Sequence, residues 1–289
     1  MKPAAYCYVR KDDCVPPKWP GIWVKQGLEK VGYENRCKYM VQFENGLIYP
    51  FDLIITWTLW KHCHRRYAAD EHKKLGGSTL CMENGFLRSI HGRPYYQLGW
   101  RVGLGSGING QGSFPAGDDS RWKAWNVDLK PWRSTGSHIL VCAQRGVRPD
   151  DPDITHGSNW PDSVIPRIRA VSDRPIWFRP HPGNKRPCLP KNCKVDRIID
   201  PEKESLEQNL KDAWCSVVYT STAATDSIVN GIPVCYDGPK IMCHELAGRV
   251  KDMENPPMLD REEVFSRLAW GQWNLEELAS GEAFRHVLQ

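Results

Sequence analysis

In the second half of the chain, short apolar runs alternate with longer stretches in which apolar residues are spaced three or four apart. Residues 137–143, 175–179, 194–199, 216–219 and 232–236 are brief and rich in β-branched or aromatic side chains, which predicts strands. Residues 160–171, 205–214 and 220–230 carry the wider helical spacing, and Gly231 stops the last of them. Strands alternating with helices predict a parallel sheet covered by helices on both faces.

The first half gives a weaker version of the same pattern. Strands are expected at 4–10, 38–43, 52–60 and 78–82, with helices at 22–31 and 67–75 ended by Gly32 and Gly76-Gly77. The strand at 78–82 would deliver Glu83-Asn84-Gly85 at its carboxyl end. Between 90 and 133 no regular period stands out, and residues 103–112 are dense in glycine without a helix after them. That segment is read as an acceptor-side loop rather than a dinucleotide fingerprint. From 260 onward two helical patterns flank Trp270-Gly271-Gln272-Trp273. The expected division is an acceptor-side domain over 1–133, a ligand-binding domain over 134–259, and C-terminal helices over 260–289 that cross back.

Composition adds limits. A chain of 289 residues suits two domains, and 40% hydrophobic with 25% charged residues places it among globular proteins. No apolar run is long enough for a membrane span, and the first residues lack signal-peptide character, so a cytoplasmic location is expected. Eleven cysteines, an odd number with no C-x-x-C spacing, read as free thiols. His62-Cys63-His64 is the nearest thing to a ligand cluster, but adjacent strand residues point to opposite faces, so no metal site is assigned. The net charge of +5 is a mild excess that does not by itself mark a nucleic-acid binder. Of thirteen tryptophans, several stand beside cations: Trp100-Arg101, Arg121-Trp122-Lys123 and Trp132-Arg133. They would either stack on bases or sugars, or pack a core and an interdomain cleft.

Three polar motifs fall at predicted strand ends, where ligands bind in open parallel sheets. In Arg179-Pro180-His181-Pro182-Gly183 two prolines stiffen the backbone around a histidine able to bond a phosphate oxygen, with a fixed cation alongside. A rigid turn is the plain alternative. Thr220-Ser221-Thr222 opens a helix, as an ordinary N-cap or as hydroxyls around an anion. Asp226, one turn further on, is placed to meet ribose hydroxyls or simply solvent. Glu83, at the third strand end, is a candidate general base for an acceptor hydroxyl, or a partner of Arg88.

Glu83-x-Gly85-Phe86-Leu87-Arg88-Ser89, His181-Pro182 and the Ser221-Thr222 helix start resemble, in order, the E/D-x-G, H-P and S/T motifs of one GT-B glycosyltransferase group. That group includes bacterial polysialyltransferases and the Kdo-transferases of capsule lipid-anchor synthesis. Gln272-Trp273 and the residues that follow are similar to the end of such chains. The resemblance implies an α/β, GT-B-like fold: two Rossmann-like domains with parallel sheets facing a cleft, the second holding a nucleotide-sugar. It implies Glu83 as base, His181 as contact to the donor phosphate and possible acid, and Ser221 and Thr222 as further phosphate contacts, without a bound metal. Asn84 stands where the group often has a second acidic residue.

Pro131-Trp132-Arg133, the strand through Gln144 and then Arg179-Pro180-His181-Pro182 also resemble phage-encoded glycosyltransferases of similar size. The function expected is transfer of a sugar from a UDP- or CMP-sugar to an acceptor hydroxyl. Gln144, Arg179, His181, Ser221, Thr222 and Asp226 would hold the donor, and Arg88, Asn109, Trp122 and Arg133 the acceptor. The favoured acceptor is a hydroxymethylated pyrimidine in double-stranded phage DNA, which would place the protein in the host cytoplasm. A surface polysaccharide or glycolipid is the alternative acceptor, and a non-catalytic nucleic-acid-binding module the alternative class.

Overall fold

Two sheets organise the chain in a computed structural model that describes residues 4–9, 21–39, 53–57, 64–74, 76–100, 113–144, 160–183, 189–238 and 240–289. Residues 1–125 with 265–289 form one unit, and residues 126–264 form the other. The two units are taken in turn.

The first unit carries strands β1 (Ala4–Val9), β2 (Glu34–Tyr39), β3 (Leu53–Trp57), β4 (Ser78–Ile90), β5 (Arg93–Trp100) and, from the C-terminal segment, β11 (Gln272–Asn274). Their order is β11-β5-β4-β3-β1-β2. β1 to β4 run parallel, whereas β5 and β11 pair antiparallel. Helix α1 (Gly21–Lys30) lays Val24 and Leu28 on Leu53, Ile55, Leu80, Met82 and Leu98 of one sheet face. The C-terminal helices α8 (Leu275–Ser280) and α9 (Glu282–Val287) add Leu278, Phe284 and Val287 to this core, and β11 adds Trp273. Each such side chain contributes about 1.5–3 kcal/mol through the apolar area it buries. Gly27 lets α1 approach this closely, since a Cβ there would lie 1.9 Å from the Leu278 carbonyl oxygen. Helix α2 (His64–Lys74) contributes a buried Ala69 beside Cys81, which points away from Leu80 and Met82 by strand alternation.

Arg121 ties the C-terminal segment into this unit. It sits in α3 (Ser120–Trp125), with a side chain only 7% exposed. Its Nε donates to the Ala269 carbonyl (2.9 Å), and Nη2 donates to the Gln272 carbonyl (2.9 Å) and to Glu277 Oε2 (2.8 Å). Nη1 lies 2.7 Å from Glu277 Oε1, and the guanidinium stacks 4.0 Å from the Trp273 ring. Glu277 closes the capping box of α8 by accepting from the Asn274 amide. A buried charge so fully satisfied is hard to break from one side only.

The second unit has strands β6 (His138–Cys142), β7 (Ile176–Arg179), β8 (Arg197–Ile198), β9 (Ala213–Val218) and β10 (Val234–Tyr236), in the order β10-β9-β6-β7-β8, all parallel. The chain builds from the centre to one edge, then returns to build the other side; the all-parallel pairing is what the alternation of strand and helix patterns predicts. Helix α4 (Trp160–Arg169) buries Trp160, Val164, Ile165 and Ile168 against Ile139, Val141, Phe178 and Val217. Helices α5 (Leu206–Leu210) and α6 (Ala223–Val229) complete the crossovers, the first behind a Ser205–Gln208 capping box.

Several elements differ from the sequence reading. Glu83 does not end its strand, because β4 runs on to Ile90 and turns at His91-Gly92 into β5, inside the stretch expected to be irregular. β2 begins four residues early, and the C-terminal segment holds three helices, α7 (Glu262–Ala269) being the first. The units divide at 125/126 and 264/265 rather than at 133/134 and 259/260. Residues 130–133 belong with the second unit because Lys130 N donates to Val229 O (3.0 Å) and Arg133 N to Gly231 O (2.8 Å). Among the described residues no helix is long and apolar enough to cross a membrane.

Two predictions follow from these contacts. Arg121→Met strips Glu277 of its partner and should lower unfolding stability by about 3–5 kcal/mol, read from denaturant midpoints at unchanged m. A loss below about 0.5 kcal/mol, the range of ordinary surface changes, would refute the clamp. In the second unit, Asp162 Oδ1 accepts from the Lys191 and Asn192 amides (both 2.8 Å), and Asp196 Oδ2 accepts from the Ile176 amide (2.7 Å). The Asn192 amide at Asp162 and the Ile176 amide at Asp196 lead in holding these carboxyls below their ordinary range. A carboxyl with a depressed folded pKa contributes stability above its unfolded value, about 3.9, and loses it as pH falls through the folded value. Thermal midpoints of the wild type should therefore drop below about pH 4, and the drop should be shallower in Asp162→Asn. Parallel curves would contradict this.

Candidate functional site

In the second unit the strand order reverses beside β6. The chain moves from β6 to β7 and β8 on one side, then places β9 against the other side of β6. The connections leaving β6 and β9 therefore diverge and open a crevice at their carboxyl ends. Gln144 follows β6 and Thr220 follows β9. Gln144 Nε2 donates to Thr220 Oγ1 (2.9 Å), and the Thr220 amide donates to Gln144 Oε1 (3.3 Å). This reciprocal pair fixes both strand ends with polar groups that a buried position would otherwise leave unsatisfied.

Ser221 and Thr222 follow immediately. Ser221 Oγ accepts from the Ala223 amide (3.2 Å), so Ser221 rather than Thr222 supplies the hydroxyl at the start of α6. An accepting hydroxyl keeps its own proton for a further acceptor. Asp226, on the first turn of α6, is close enough that its charge helps raise the thiols of Cys142 and Cys243. Burial is the main cause of both shifts, carrying Cys142 and Cys243 up to about 12.

His181 lies two residues past β7, the other neighbour of β6. It is half-buried, and its Nδ1 accepts from the Gly183 amide at 3.0 Å. Arg179, expected beside it as a phosphate contact, is turned inward. Its side chain is buried, and Nη1 donates to the Glu204 carbonyl (2.8 Å) and to Asn209 Oδ1 (2.5 Å). Burial lowers its pKa, opposed by Cys142 and Glu204. The geometry makes Arg179 an internal cation that ties the end of β7 to α5. Gln144, His181 and Thr220–Ser221 thus follow β6, β7 and β9 at one end of the sheet, with Thr222 and Asp226 at the start of α6. Thr220 and Gly183 sat inside the sequence motifs without a role of their own.

Glu83 belongs to the first unit. It is the first residue of β4 beyond the stretch paired with β3, which stops at Trp57–Met82, so it stands at the carboxyl end of the parallel part of the sheet. Glu83 pairs with Gln97 of β5, and Gln97 with Gln272 of β11, so the three share one sheet face. Past Asn84 the β4–β5 register shifts. Two glutamines hold this irregularity: Gln97 Nε2 donates to the Asn84 carbonyl (2.8 Å), and Gln272 Oε1 accepts from the Leu87 amide (3.2 Å). Gly85 is required by close approach, since a Cβ there would fall 2.6 Å from Leu87 O and 2.8 Å from Tyr95 O. The E-x-G spacing therefore has a local cause. Gln97, an isolated glutamine, gives no periodic signal in the sequence, and Gln272 entered there only through the likeness of the tail.

Of the acceptor candidates, Arg88 and Trp122 fall in the first unit and Arg133 in the second. Trp122 is buried and stacks on Phe265 (centroids 4.8 Å apart), so it packs the first unit rather than presenting a face to ligand. Arg133 is ion-paired with Asp212 (3.6 Å), and Trp132 donates to the Leu259 carbonyl beneath Arg261. Arg88 is exposed. Asn109, with the glycine-dense segment, lies outside the described residues, as do Arg101, His62 and Cys63. Asp151-Pro152-Asp153, an acidic pair of D-x-D spacing, also lies outside them. Among the described residues no group of three or more His, Cys, Asp or Glu side chains is placed to hold a metal ion.

No protein-family model matches the sequence, and no curated protein matches it. Solved structures do. Thermosulfurimonas dismutans KpsC, beta Kdo 2,4 transferase, is similar at a TM-score of 0.57 and 15% identity, over 95% of this chain and 92% of that chain. Thermosulfurimonas dismutans KpsC, beta Kdo 2,7 transferase, gives 0.49 and 13% over 98% and 99%. At these identities the likeness is one of architecture. With its Rossmann-type second sheet and this likeness across nearly the whole chain, the protein has a GT-B-like α/β fold.

Proposed function

We propose that the protein is a glycosyltransferase that moves a sugar from a nucleotide-sugar to an acceptor hydroxyl. The observation that carries this reading is the Gln144–Thr220 pair at the strand-order reversal, with His181 and the Ser221 and Thr222 hydroxyls on the adjoining strand ends. Neutral donors gathered at such a crevice suit the phosphate of a nucleotide-sugar. Glu83 takes the proton from the acceptor hydroxyl, whose oxygen bonds to the anomeric carbon. The bond from that carbon to the phosphate oxygen breaks, and its electron pair leaves with the nucleotide. Hydrogen bonds from His181, Ser221 and Thr222 then meet charge that grows on the departing phosphate. Asp226 serves the ribose. UDP- and CMP-sugars are the donor classes put forward.

For the acceptor we put forward a glycan hydroxyl. The base in duplex DNA rested largely on cation-flanked tryptophans, and Trp122, Trp132, Arg121 and Arg133 are all engaged within their own units. The likeness in fold to the Thermosulfurimonas dismutans Kdo transferase supports the glycan reading.

Purified protein incubated with UDP-, CMP-, GDP- and dTDP-sugars should release nucleotide from one of them. Release from none, with glycan or hydroxymethylated DNA acceptors supplied, would end the reading. Glu83→Gln should cut kcat about 10²- to 10⁴-fold, the scale of general-base catalysis, while donor affinity measured by calorimetry stays near wild type. Weakened donor binding with turnover spared would reverse the assignment. Gln144→Ala and Thr220→Val each unpair a polar group at the crevice and should weaken donor binding about 5- to 30-fold. Unchanged donor affinity in both would move the donor elsewhere.

A further inference from the structure

Pro182 has no N–H, so the first amide after His181 able to reach back to its ring is that of Gly183. Gly183 N donates to His181 Nδ1 at 3.0 Å, closing a tight turn from side chain to backbone. In neutral imidazole one nitrogen donates and the other accepts. A nitrogen that accepts from an amide carries no proton, so the ring proton resides on Nε2. Flipping the ring would set a C–H against the Gly183 N–H and leave that amide without its acceptor.

We propose that the Gly183 amide fixes His181 as its Nε2–H tautomer, so that the imidazole serves the donor phosphate as a neutral hydrogen-bond donor and supplies no proton to the leaving group. This rests on the donor-site reading above and sharpens it. The ligand class is a phosphate ester whose leaving group departs as an anion. The proton released by the acceptor hydroxyl stays on Glu83, and His181 begins and ends the step with the same single proton. Gly183 is a positioning residue, acting through the ring of His181.

The test begins on the free protein. With ¹⁵N-labelled histidine, the His181 resonances, assigned by their loss in His181→Gln, should show an unprotonated Nδ1 and a protonated Nε2 at neutral pH. Gly183→Ala keeps the amide and should preserve that signature, whereas Gly183→Pro removes it and should release the ring to mixed tautomers. A protonated Nδ1 in the wild type, or a signature unmoved in a folded Gly183→Pro, overturns the positioning role.

The second arm is functional. A glutamine amide reaches the place of Nε2, and an asparagine amide that of Nδ1. His181→Gln should bind UDP or CMP within a few-fold of wild type and lose much less transfer than His181→Asn, the two differing about tenfold or more, the cost of about 1.4 kcal/mol in a lost hydrogen bond to charge. Equal loss of transfer in both, with nucleotide binding kept, would restore His181 as a proton donor. Absence of nucleotide binding in the wild type would instead end the donor-site reading, whatever tautomer the resonances report.

Discussion

A single buried guanidinium decides whether the first unit closes. Arg121 arrives on α3 and meets two carbonyls and a carboxylate that all come from residues 269–277. A cation in that position is tolerable only if each of its contacts is present at once, since desolvating it unpaired costs several kcal/mol. The clamp therefore specifies where β11 and α8 sit as much as it stabilises them. From β11 the constraint passes to Gln272, then to the Leu87 amide, and so to the irregularity in β4 that presents Glu83. An element remote in sequence thus shapes the acidic candidate without touching it.

The second unit reaches the same end by different means. Its polar groups are anchored by strand order: β6 lies between β7 and β9, and the residues just past these three strands share one end of the sheet. Interior cations and thiols serve this arrangement from behind. Arg179 holds the end of β7 to α5 through Asn209, whose carbonyl in turn bonds the buried His138. Burial favours the neutral form of His138, which stacks on Trp177 (3.7 Å) at the foot of the sheet. Among the described residues just past these strands, the groups left for a ligand are mostly hydroxyl, amide and imidazole.

The second unit was legible in the sequence because its strands are short apolar runs between amphipathic helices, a signal that survives without tertiary context. Gln144, His181 and Ser221 followed once the strand ends were placed. The first unit hid more. Glu83-Asn84-Gly85 interrupts the alternation of β4 with two polar residues and a glycine, so a continuing strand read as its end. β11 is three residues long, too short for any period, and was taken as the joint between two helices. Arg121-Trp122 left ligand stacking and core packing both open, because burial of arginine depends on partners 148 to 156 residues away, which no local pattern reveals. Arg179 was misjudged for the same reason: its partners lie on α5 and the turn before it.

Residues 126–264 are inserted between two portions of the first unit. During synthesis the inserted unit is complete before residues 265–289 exist, whereas the earlier sheet still waits for β11, α8 and α9. Until they emerge, the face of Leu28, Leu80, Met82 and Leu98 lacks the cover of Trp273, Phe284 and Val287. Its assembly is thus post-insertional: the part made first finishes last, and in the interval it carries an uncovered apolar face of the kind that draws chaperones or seeds aggregation.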